Sequence, residues 1–285
     1  MTPAPVDVAV LLAVRNRAET TERFLRALAR EESGSLRFTV HVVDDGSTDG
    51  TPERIRAGFP DVHLVRGDGS LYWGGGMRLA ERSLDGHDHD FVLWANDDAD
   101  LVPGAVRRLV ETASSAGGAT IVCGAMADAT TGATTYSGVR RVRRWHRFLR
   151  LARVEPGATA QRVESFNGNL VLFPRDVYRR LGGIDPGFTH HYGDFDTGLR
   201  ATALGIPVVL APGVAGYTSR NLVRGGFGDP SLPRRVRVER LLGPKGYPPR
   251  EKLRYLRRHG GAAWPVQLLG VYAAQLLRIT LGRPA

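Results

Sequence analysis

Apolar runs and amphipathic stretches alternate along most of the chain. Val6–Val14 is an almost unbroken apolar run with β-branched residues, which predicts a buried strand. Phe24, Leu25 and Leu28 recur at helical spacing within residues 20–31 and predict an amphipathic helix. Similar patterns predict strands at 38–43, 62–65, 91–94, 121–125, 169–173 and 207–210, and helices at 51–57, 76–83, 103–114, 175–181 and 195–204.

This alternation predicts the fold class. Strands that alternate with helices favour an α/β fold with a Rossmann-like, mostly parallel central sheet flanked by helices. Ligands bind such sheets outside the carboxyl ends of the strands. Two clusters follow predicted strands, Asp44-Asp45-Gly46-Ser47 and Asn96-Asp97-Asp98. The sequence therefore predicts a polar site at this edge of the sheet.

Composition excludes some kinds of site. The 285 residues are 42% hydrophobic and 24% charged, which is typical of a globular protein. The one cysteine, Cys123, excludes a disulfide framework and a thiolate metal site, and its apolar neighbours predict a buried thiol. Residues 1–5 lack the basic segment of a secretory signal peptide. Together these features favour a cytoplasmic location.

The formal charge of +10 is concentrated in two blocks, residues 139–162 with about +7 and residues 220–258 with about +9. Such blocks suggest an anionic partner, namely a membrane surface, a phosphorylated acceptor or a nucleic acid. Solvated arginine-rich faces are the alternative. No nucleic-acid-binding motif accompanies the charge, so no nucleic acid is expected as a partner.

Residues 260–277 follow the second basic block and are mostly apolar. Their 18 residues are close to the minimum of about 17 that spans a bilayer. Pro265, Gln267, Gly270 and Gln275 interrupt the run, which favours an interfacial helix or hairpin at the inner face of the membrane. A packed C-terminal helix with an arginine-rich outer face is the open alternative.

Three polar clusters are candidates for chemistry. Carboxylates in Asp44-Asp45-Gly46-Ser47 suit a nucleoside base or ribose, although a plain turn would use the same residues. Adjacent acids in Asn96-Asp97-Asp98 repel each other unless a cation or base neutralises them, so they suit a divalent ion that also contacts phosphates. An exposed acidic loop is the alternative.

The third cluster runs from His190 to Asp196, at the start of a predicted helix. A carboxylate at Asp194 would serve as a general base toward an acceptor hydroxyl, and helix capping is the alternative role. His190 and His191 are either metal ligands or ordinary polar residues.

The order of these motifs is more specific than any one of them. Asp-Asp-Gly-Ser, Asn-Asp-Asp, Gly-Gly-Ile-Asp and Gly-Asp-Phe-Asp-x-x-Leu-Arg-Ala follow one another between residues 6 and 219. This order resembles glycosyltransferase family 2 on a GT-A fold. The resemblance implies an inverting transferase that moves a sugar from a nucleotide-diphosphate donor to an acceptor hydroxyl in cell-surface polysaccharide or glycolipid synthesis. A membrane-facing C-terminal segment would fit a lipid-linked acceptor.

The resemblance also implies roles for individual residues. Asp194 would be the catalytic base, supported by Asp196 and Arg200. Asp98 and Asp97 would hold a divalent cation, Mg²⁺ or Mn²⁺. Donor contacts would come from Val14, Arg15, Asn16, Asp44, Asp45, Gly75, Gly76, Arg78, Asn96 and Asp97. Acceptor contacts would come from Asn167, Gly168 and Trp145.

The implied organisation has a nucleotide-sugar-binding half at 1–118, an acceptor-binding and catalytic half at 119–218, and a basic, partly amphipathic extension at 219–285.

Two departures from the family pattern stand out: Gly193 occupies a position that is often Glu, and the segment after the last predicted strand lacks a metal-ligating histidine. Arg78 or Arg220 would then neutralise the diphosphate. The alternative function is a non-catalytic polyanion- or nucleic-acid-binding protein on a degenerate GT-A scaffold.

Overall fold

A central mixed sheet organises the protein, shown by a computed structural model that describes residues 4–31, 34–84, 88–142, 148–219 and 225–282. Its strands are β1 (Val6–Val14), β2 (Leu36–Asp44), β3 (His63–Arg66), β4 (Phe91–Ala95), β5 (Asp100–Leu101), β6 (Ile121–Ala127), β7 (Thr134–Tyr136), β10 (Gln161–Val163), β12 (Leu170–Pro174) and β13 (Val208–Tyr217). The order along the sheet is β10-β13-β6-β12-β4-β1-β2-β3, with β5 on β13 and β7 on β6. A smaller sheet contains β8 (Gly138–Arg141), β9 (Leu151–Arg153) and β11 (Ser165–Phe166).

Most strands of the central sheet run in one direction. β3, β2, β1 and β4 are mutually parallel, and β6 and β13 are parallel to each other. β12 runs antiparallel between β4 and β6, which gives β6 and β13 the direction of β1. The α/β class with a mostly parallel sheet, predicted from the alternation of elements, is confirmed.

Helices cover both faces of the sheet. They are α1 (Ala18–Glu31), α2 (Thr51–Gly58), α3 (Tyr72–Arg82), α4 (Ala105–Ser115), α5 (Arg175–Leu181) and α6 (Gly193–Ala203). Phe24, Leu25 and Leu28 of α1 are buried in one core layer, as their spacing predicted. Met77 and Ala80 of α3 pack in the other layer, which also contains the buried Cys123.

The chain changes direction across the sheet between β1 and β4. β2 and β3 lie on one side of β1, whereas β4 returns to the other side. The loops after β1 and β4 therefore diverge and leave a crevice at the carboxyl ends of these strands.

Three further helices form the C-terminal extension: α7 (Arg234–Leu242), α8 (Pro249–His259) and α9 (Trp264–Thr280). Tyr255 and Leu256 of α8 pack in a small core with Phe188, Tyr192 and Leu199. Among the described residues, no helix combines the length and apolar character needed to cross a membrane. The extension is helical, as predicted, and it packs on the part of the chain that begins α6.

Candidate active site

A cleft of about 500 Å³ opens where β1 and β4 diverge, which is within the usual size range for a ligand site. It is lined by Ala13, Val14, Arg15, Arg17, Asp45, Tyr72, Trp73, Asn96, Asp97, Asp98, Tyr136, Asn167, Gly168, Asn169, His190, His191, Tyr192, Asp194, Phe195, Lys245 and Tyr247. All three predicted polar clusters therefore contribute side chains to one cavity. Trp145 and Arg220 lie outside the described residues.

The acidic pair after β4 is neutralised by an arginine that follows β1. Arg17 Nη1 lies 3.0 Å from Asp98 Oδ2 and 3.5 Å from Asp97 Oδ1. Thr21 donates a hydrogen bond to Asp97 Oδ2 at 2.9 Å. Asp97 is 5% exposed, and burial raises its pKa to about 6. The two acids are thus held beside each other by a cation from another strand end.

Asp45 anchors the segment that leads into α3. Its Oδ1 accepts hydrogen bonds from the N–H groups of Gly69 and Leu71 at 2.8 and 3.2 Å, and its Oδ2 accepts one from Tyr72 at 3.1 Å. These bonds let α3 begin at Tyr72, four residues before the predicted start at Gly76.

Asp44 does not reach the cleft, in contrast to the predicted donor contact. It is 1% exposed, and its Oδ2 accepts a 3.3 Å hydrogen bond from the N–H of Ser47. Successive side chains at the end of a strand point to opposite faces, so only Asp45 of this pair faces the cleft. Asn16 also lies off the cleft, where its Oδ1 accepts a hydrogen bond from the N–H of Thr48 at 2.8 Å.

Gly75 and Gly76 of α3, which were predicted to contact the donor, pack against neighbouring residues and do not line the cleft. A Cβ atom at Gly76 would lie 2.7 Å from the Cβ of Ala13, so this glycine lets α3 approach β1. Gly75 is buried against the side chain of Leu71. Arg78, the predicted partner of a diphosphate, also lies off the cleft and donates to the carbonyl of Phe188 at 2.7 Å.

Trp73 connects Asn96 with the loop that contacts Asp194, a contact that the sequence did not indicate. Its indole N–H donates to Asn96 Oδ1 at 3.0 Å. A Cβ atom at Gly168 would lie 2.7 Å from the same indole ring, so the ring packs directly on this backbone. Gly168 thereby allows Trp73 to lie between Asn96 and the loop that contacts Asp194.

Asp194 stands in the first turn of α6 and faces the cleft. Its Oδ2 accepts a hydrogen bond from the N–H of Gly168 at 3.0 Å, and its Oδ1 accepts one from the N–H of Phe195 at 2.7 Å. Burial raises the pKa of Asp194 above the ordinary value of an aspartate. Each oxygen keeps a free lone pair, so the oriented carboxylate can still accept a proton.

Asp196 belongs to the same turn of α6 and is fully buried. It accepts hydrogen bonds from Arg200 Nε at 2.8 Å and Arg258 Nη1 at 2.7 Å, and it lies 2.9 Å from His259 Nε2. Arg200 also donates to the carbonyls of Leu181 and Gly183, both at 2.6 Å. Asp196 and Arg200 do not line the cleft; they tie α6 to α8 and to the segment after α5.

Asp196→Asn should lower the free energy of unfolding by about 3 kcal/mol, because it leaves the partly buried Arg200 and Arg258 without their buried counter-charge. Burial alone would raise the pKa of Asp196, but the His259 and arginine contacts outweigh it and lower that pKa. The carboxylate's contribution is therefore complete above about pH 4 and is lost as the pH falls through the lowered pKa.

Urea unfolding of both proteins at several pH values measures this effect. The matched control is Glu239→Gln, which removes a helical Glu–Arg pair that is exposed, with Arg235 as the partner. We expect that variant to stay within about 0.5 kcal/mol of the unmodified protein. If the Asp196→Asn protein is as stable as the unmodified protein, the structural role of this carboxylate is contradicted.

The far wall of the cleft comes from the loop before α6 and from the C-terminal extension. Lys245 and Tyr247 of the extension line the cleft together with His190 and His191. Burial lowers the pKa of His190 to about 4, so this imidazole is neutral at pH 7. Lys245 and Tyr247 were missed because nothing in the sequence places a segment more than 50 residues after Asp194 beside that residue.

Backbone strain concentrates at this site. Asn16, Tyr72 and Tyr192 have φ values of 52°, 53° and 68°, in the left-handed region that most residues avoid. Tyr72 and Tyr192 line the cleft, and Asn16 stands between two residues that do. Such conformations persist where surrounding contacts over-determine them, and they cluster at functional sites.

The residues present fit a divalent cation that is completed by substrate oxygens. Asp98 Oδ1 is buried and accepts no hydrogen bond from the described residues. The described residues contain no group of three or more His, Cys, Asp or Glu side chains placed to hold an ion. Two carboxylates with substrate phosphates are a usual Mg²⁺ environment, so the donor would have to supply the remaining ligands.

A mycobacterial enzyme resembles about two thirds of this chain. N-acetylglucosaminyl-diphospho-decaprenol L-rhamnosyltransferase of Mycobacterium tuberculosis is 25% identical over 217 residues, which are 67% of this chain and 69% of that protein.

Two solved structures share the fold. Mannosyltransferase PcManGT from Pyrobaculum calidifontis, in complex with GDP-Man and Mn²⁺, aligns over 99% of this chain and 74% of its own, with a TM-score of 0.57 and 18% identity. GalNAc-T7 with UDP, GalNAc and Mn²⁺ aligns over 85% of this chain and 48% of its own, with a TM-score of 0.62 and 12% identity. The predicted GT-A fold is confirmed.

The sequence model described as Glycosyl transferase family 2 matches residues 9–181, which contain most of the strands, the acidic pair after β4 and the α3 segment. This match covers more than half of the chain, and the protein therefore belongs to glycosyl transferase family 2.

Proposed function

We propose that this nucleotide-sugar glycosyltransferase works by a single inverting displacement, with Asp194 as the base. The observation that carries the proposal is that Asp194, fixed by two backbone N–H groups, shares one cleft with the acidic pair Asp97 and Asp98. Family membership favours this function over the non-catalytic alternative.

In the proposed reaction, a carboxylate oxygen of Asp194 takes the proton from the acceptor hydroxyl. The hydroxyl oxygen forms a bond to the anomeric carbon of the donor while the bond to the diphosphate oxygen breaks. The electron pair leaves with the nucleoside diphosphate. Burial raises the pKa of Asp194. A general base works best when its pKa is close to the working pH, so this shift favours proton transfer at neutral pH.

The donor side would be formed by the strand ends around Arg17. Val14 and Arg15 line this part of the cleft after β1, Asp45 lines it after β2, and Asn96 lines it after β4. Asp97 and Asp98 would hold a divalent cation, which would stabilise the charge on the departing diphosphate. Arg17 already neutralises these acids at 3.0–3.5 Å and would remain beside the phosphates as a second cationic group.

The acceptor side would be formed by Asn167, Gly168 and the far wall of the cleft. The mycobacterial relative is named for an acceptor with a diphosphate between a sugar and a polyprenol. Lys245 and His191 offer cationic or donor groups at this wall, and Tyr247 offers an aromatic surface. We propose an acceptor of the same class, a lipid-linked diphosphate sugar, and a hexosyl or deoxyhexosyl donor.

A donor screen tests the proposal. Purified protein is heated with a panel of nucleoside-diphosphate hexoses and deoxyhexoses, with Mg²⁺, Mn²⁺ or chelator. A donor at about 100 times its Kd should stabilise the fold by about 2.7 kcal/mol, which raises Tm by about 5 °C. The corresponding nucleoside monophosphates serve as the control, because they lack the diphosphate.

The outcomes of the screen test both the transferase function and the need for a cation. A Tm rise that one donor produces and chelator abolishes supports both the transferase and the cation. A rise that survives chelator supports Arg17 as the group that neutralises the diphosphate. No stabilisation by any nucleotide sugar under any ion condition would contradict the proposed function.

A further inference from the structure

The outer face of α9 is apolar and exposed. Large apolar side chains recur there at helical spacing, with exposed fractions between 42% and 72%: Val266, Leu269, Leu276, Leu277 and Leu281. At 100° per residue these positions fall within one arc of the helix, which they share with Gly270, Ala273 and Ala274. No charged residue occurs between Trp264 and Leu277. Contiguous exposed apolar surface of this kind marks an interaction site.

The opposite face of α9 fixes the helix to the body of the protein. Gln267 donates to the carbonyl of Leu149 at 2.7 Å and accepts from its N–H at 2.9 Å. The hydroxyl of Tyr272 donates to the carbonyl of Tyr247 at 2.7 Å. Trp264 and Leu268 pack against the small core around Phe188. Because α9 is held on one side, its apolar side faces outward in a defined orientation.

Positive charge is concentrated in the C-terminal extension, whose helices α7 and α8 pack on α9. Residues 225–282 contain eleven Lys or Arg residues and three Asp or Glu residues. α8 and α7 both contact α9. Arg250 and Arg257 of α8 are exposed, whereas Arg254 and Arg258 of the same helix are paired with Asp185. A surface that combines basic and apolar groups complements anionic lipid headgroups above an acyl layer.

We infer that the outer face of α9 docks on an anionic membrane surface, with the helix lying in the plane of the interface. With 17 residues, α9 is about 25 Å long, shorter than the hydrocarbon core of about 30 Å. The leucines enter the boundary between headgroups and acyl chains, and the exposed arginines of α8 contact the anionic headgroups. The Tyr272–Tyr247 bond links this surface to the cleft, because Tyr247 lines it.

Vesicle flotation of the full chain tests this inference without any sugar substrate. The vesicles are phosphatidylcholine alone or a mixture with phosphatidylglycerol, at about 0.15 M salt, where charges are screened beyond about 8 Å. We expect flotation with the anionic vesicles, and about tenfold weaker binding for the double variant Leu269→Asn/Leu277→Asn. Arg250→Gln/Arg257→Gln should weaken binding about tenfold as well.

Two control variants test whether a loss of vesicle binding is specific to this surface. Leu204→Asn changes an exposed leucine at the end of α6, and Arg56→Gln changes an exposed arginine of α2, so both should float like the unmodified protein. Donor stabilisation should be the same in every variant, which separates this inference from the proposed function.

Three outcomes would overturn the inference. The first is no flotation with anionic vesicles. The second is equal binding by the unmodified protein and the leucine variant. The third is a dimer by analytical ultracentrifugation that Leu269→Asn/Leu277→Asn dissociates, because a second copy would then cover this face.

Discussion

Asp194→Asn should lower the rate of sugar transfer by about three orders of magnitude while the protein still binds donor. The amide nitrogen cannot accept a proton, and the side chain would keep nearly the same volume beside Gly168. The variant also loses one of the two backbone hydrogen bonds, because an amide offers only one acceptor oxygen to the N–H groups of Gly168 and Phe195. Its fold is therefore checked by circular dichroism and by the donor-induced Tm shift.

The control for this experiment is Asp176→Asn. Asp176 stands in the first turn of α5 as Asp194 stands in the first turn of α6, but its side chain is 91% exposed and lies off the cleft. We expect the control to keep full activity. A folded Asp194→Asn protein with full transfer rate would remove Asp194 as the base.

The pH dependence of kcat gives a second, independent readout. The base must be ionised to accept a proton, so the rate should fall as the pH drops through the pKa of Asp194. Burial raises that pKa, which places the acidic limb above the ordinary aspartate value of about 3.9. An acidic limb at or below that ordinary value would contradict the raised pKa of the base.

The sequence pattern predicted a strand or helix correctly where burial alone decides the structure of the segment. Val6–Val14 was predicted at both ends, because a buried parallel strand leaves an unbroken apolar run. The last central strand was predicted to end at residue 210 but continues to Tyr217. Pro212 and Gly213 interrupt the local pattern there, whereas the structure absorbs them through register shifts against β6. Pairing with a neighbour outweighs propensity in this strand.

Contacts between distant segments account for the parts of the site that the sequence did not indicate. Arg17 and the Asp97–Asp98 pair are about 80 residues apart, and only the parallel arrangement of β1 and β4 brings them together. Lys245 and Tyr247 reach the cleft because the extension packs on the α6 region. Motif order therefore predicted which polar clusters line the cleft, while the charge balance of the cleft and its far wall depend on tertiary packing.

Asp98→Asn should lower the transfer rate by about two to three orders of magnitude and weaken Mn²⁺ binding in the presence of donor. Asp98 Oδ1 is a buried acceptor that no described group satisfies, and Oδ2 faces Arg17 at 3.0 Å. An amide carries no charge, so it would lose attraction for the ion and for Arg17 together. Electron paramagnetic resonance of free Mn²⁺ measures ion binding separately from activity.

A neighbouring carboxylate provides the control for the acidic pair. Asp100 lies two residues further on, is 55% exposed, and pairs with Arg23 outside the cleft. Asp100→Asn should therefore leave Mn²⁺ binding and transfer unchanged. If Asp98→Asn binds Mn²⁺ and donor normally, the acidic pair is not the cation site. A different outcome would assign this role to Arg17. If the unmodified enzyme is fully active with chelator and the Arg17→Gln protein is not, Arg17 is the group that stabilises the departing diphosphate.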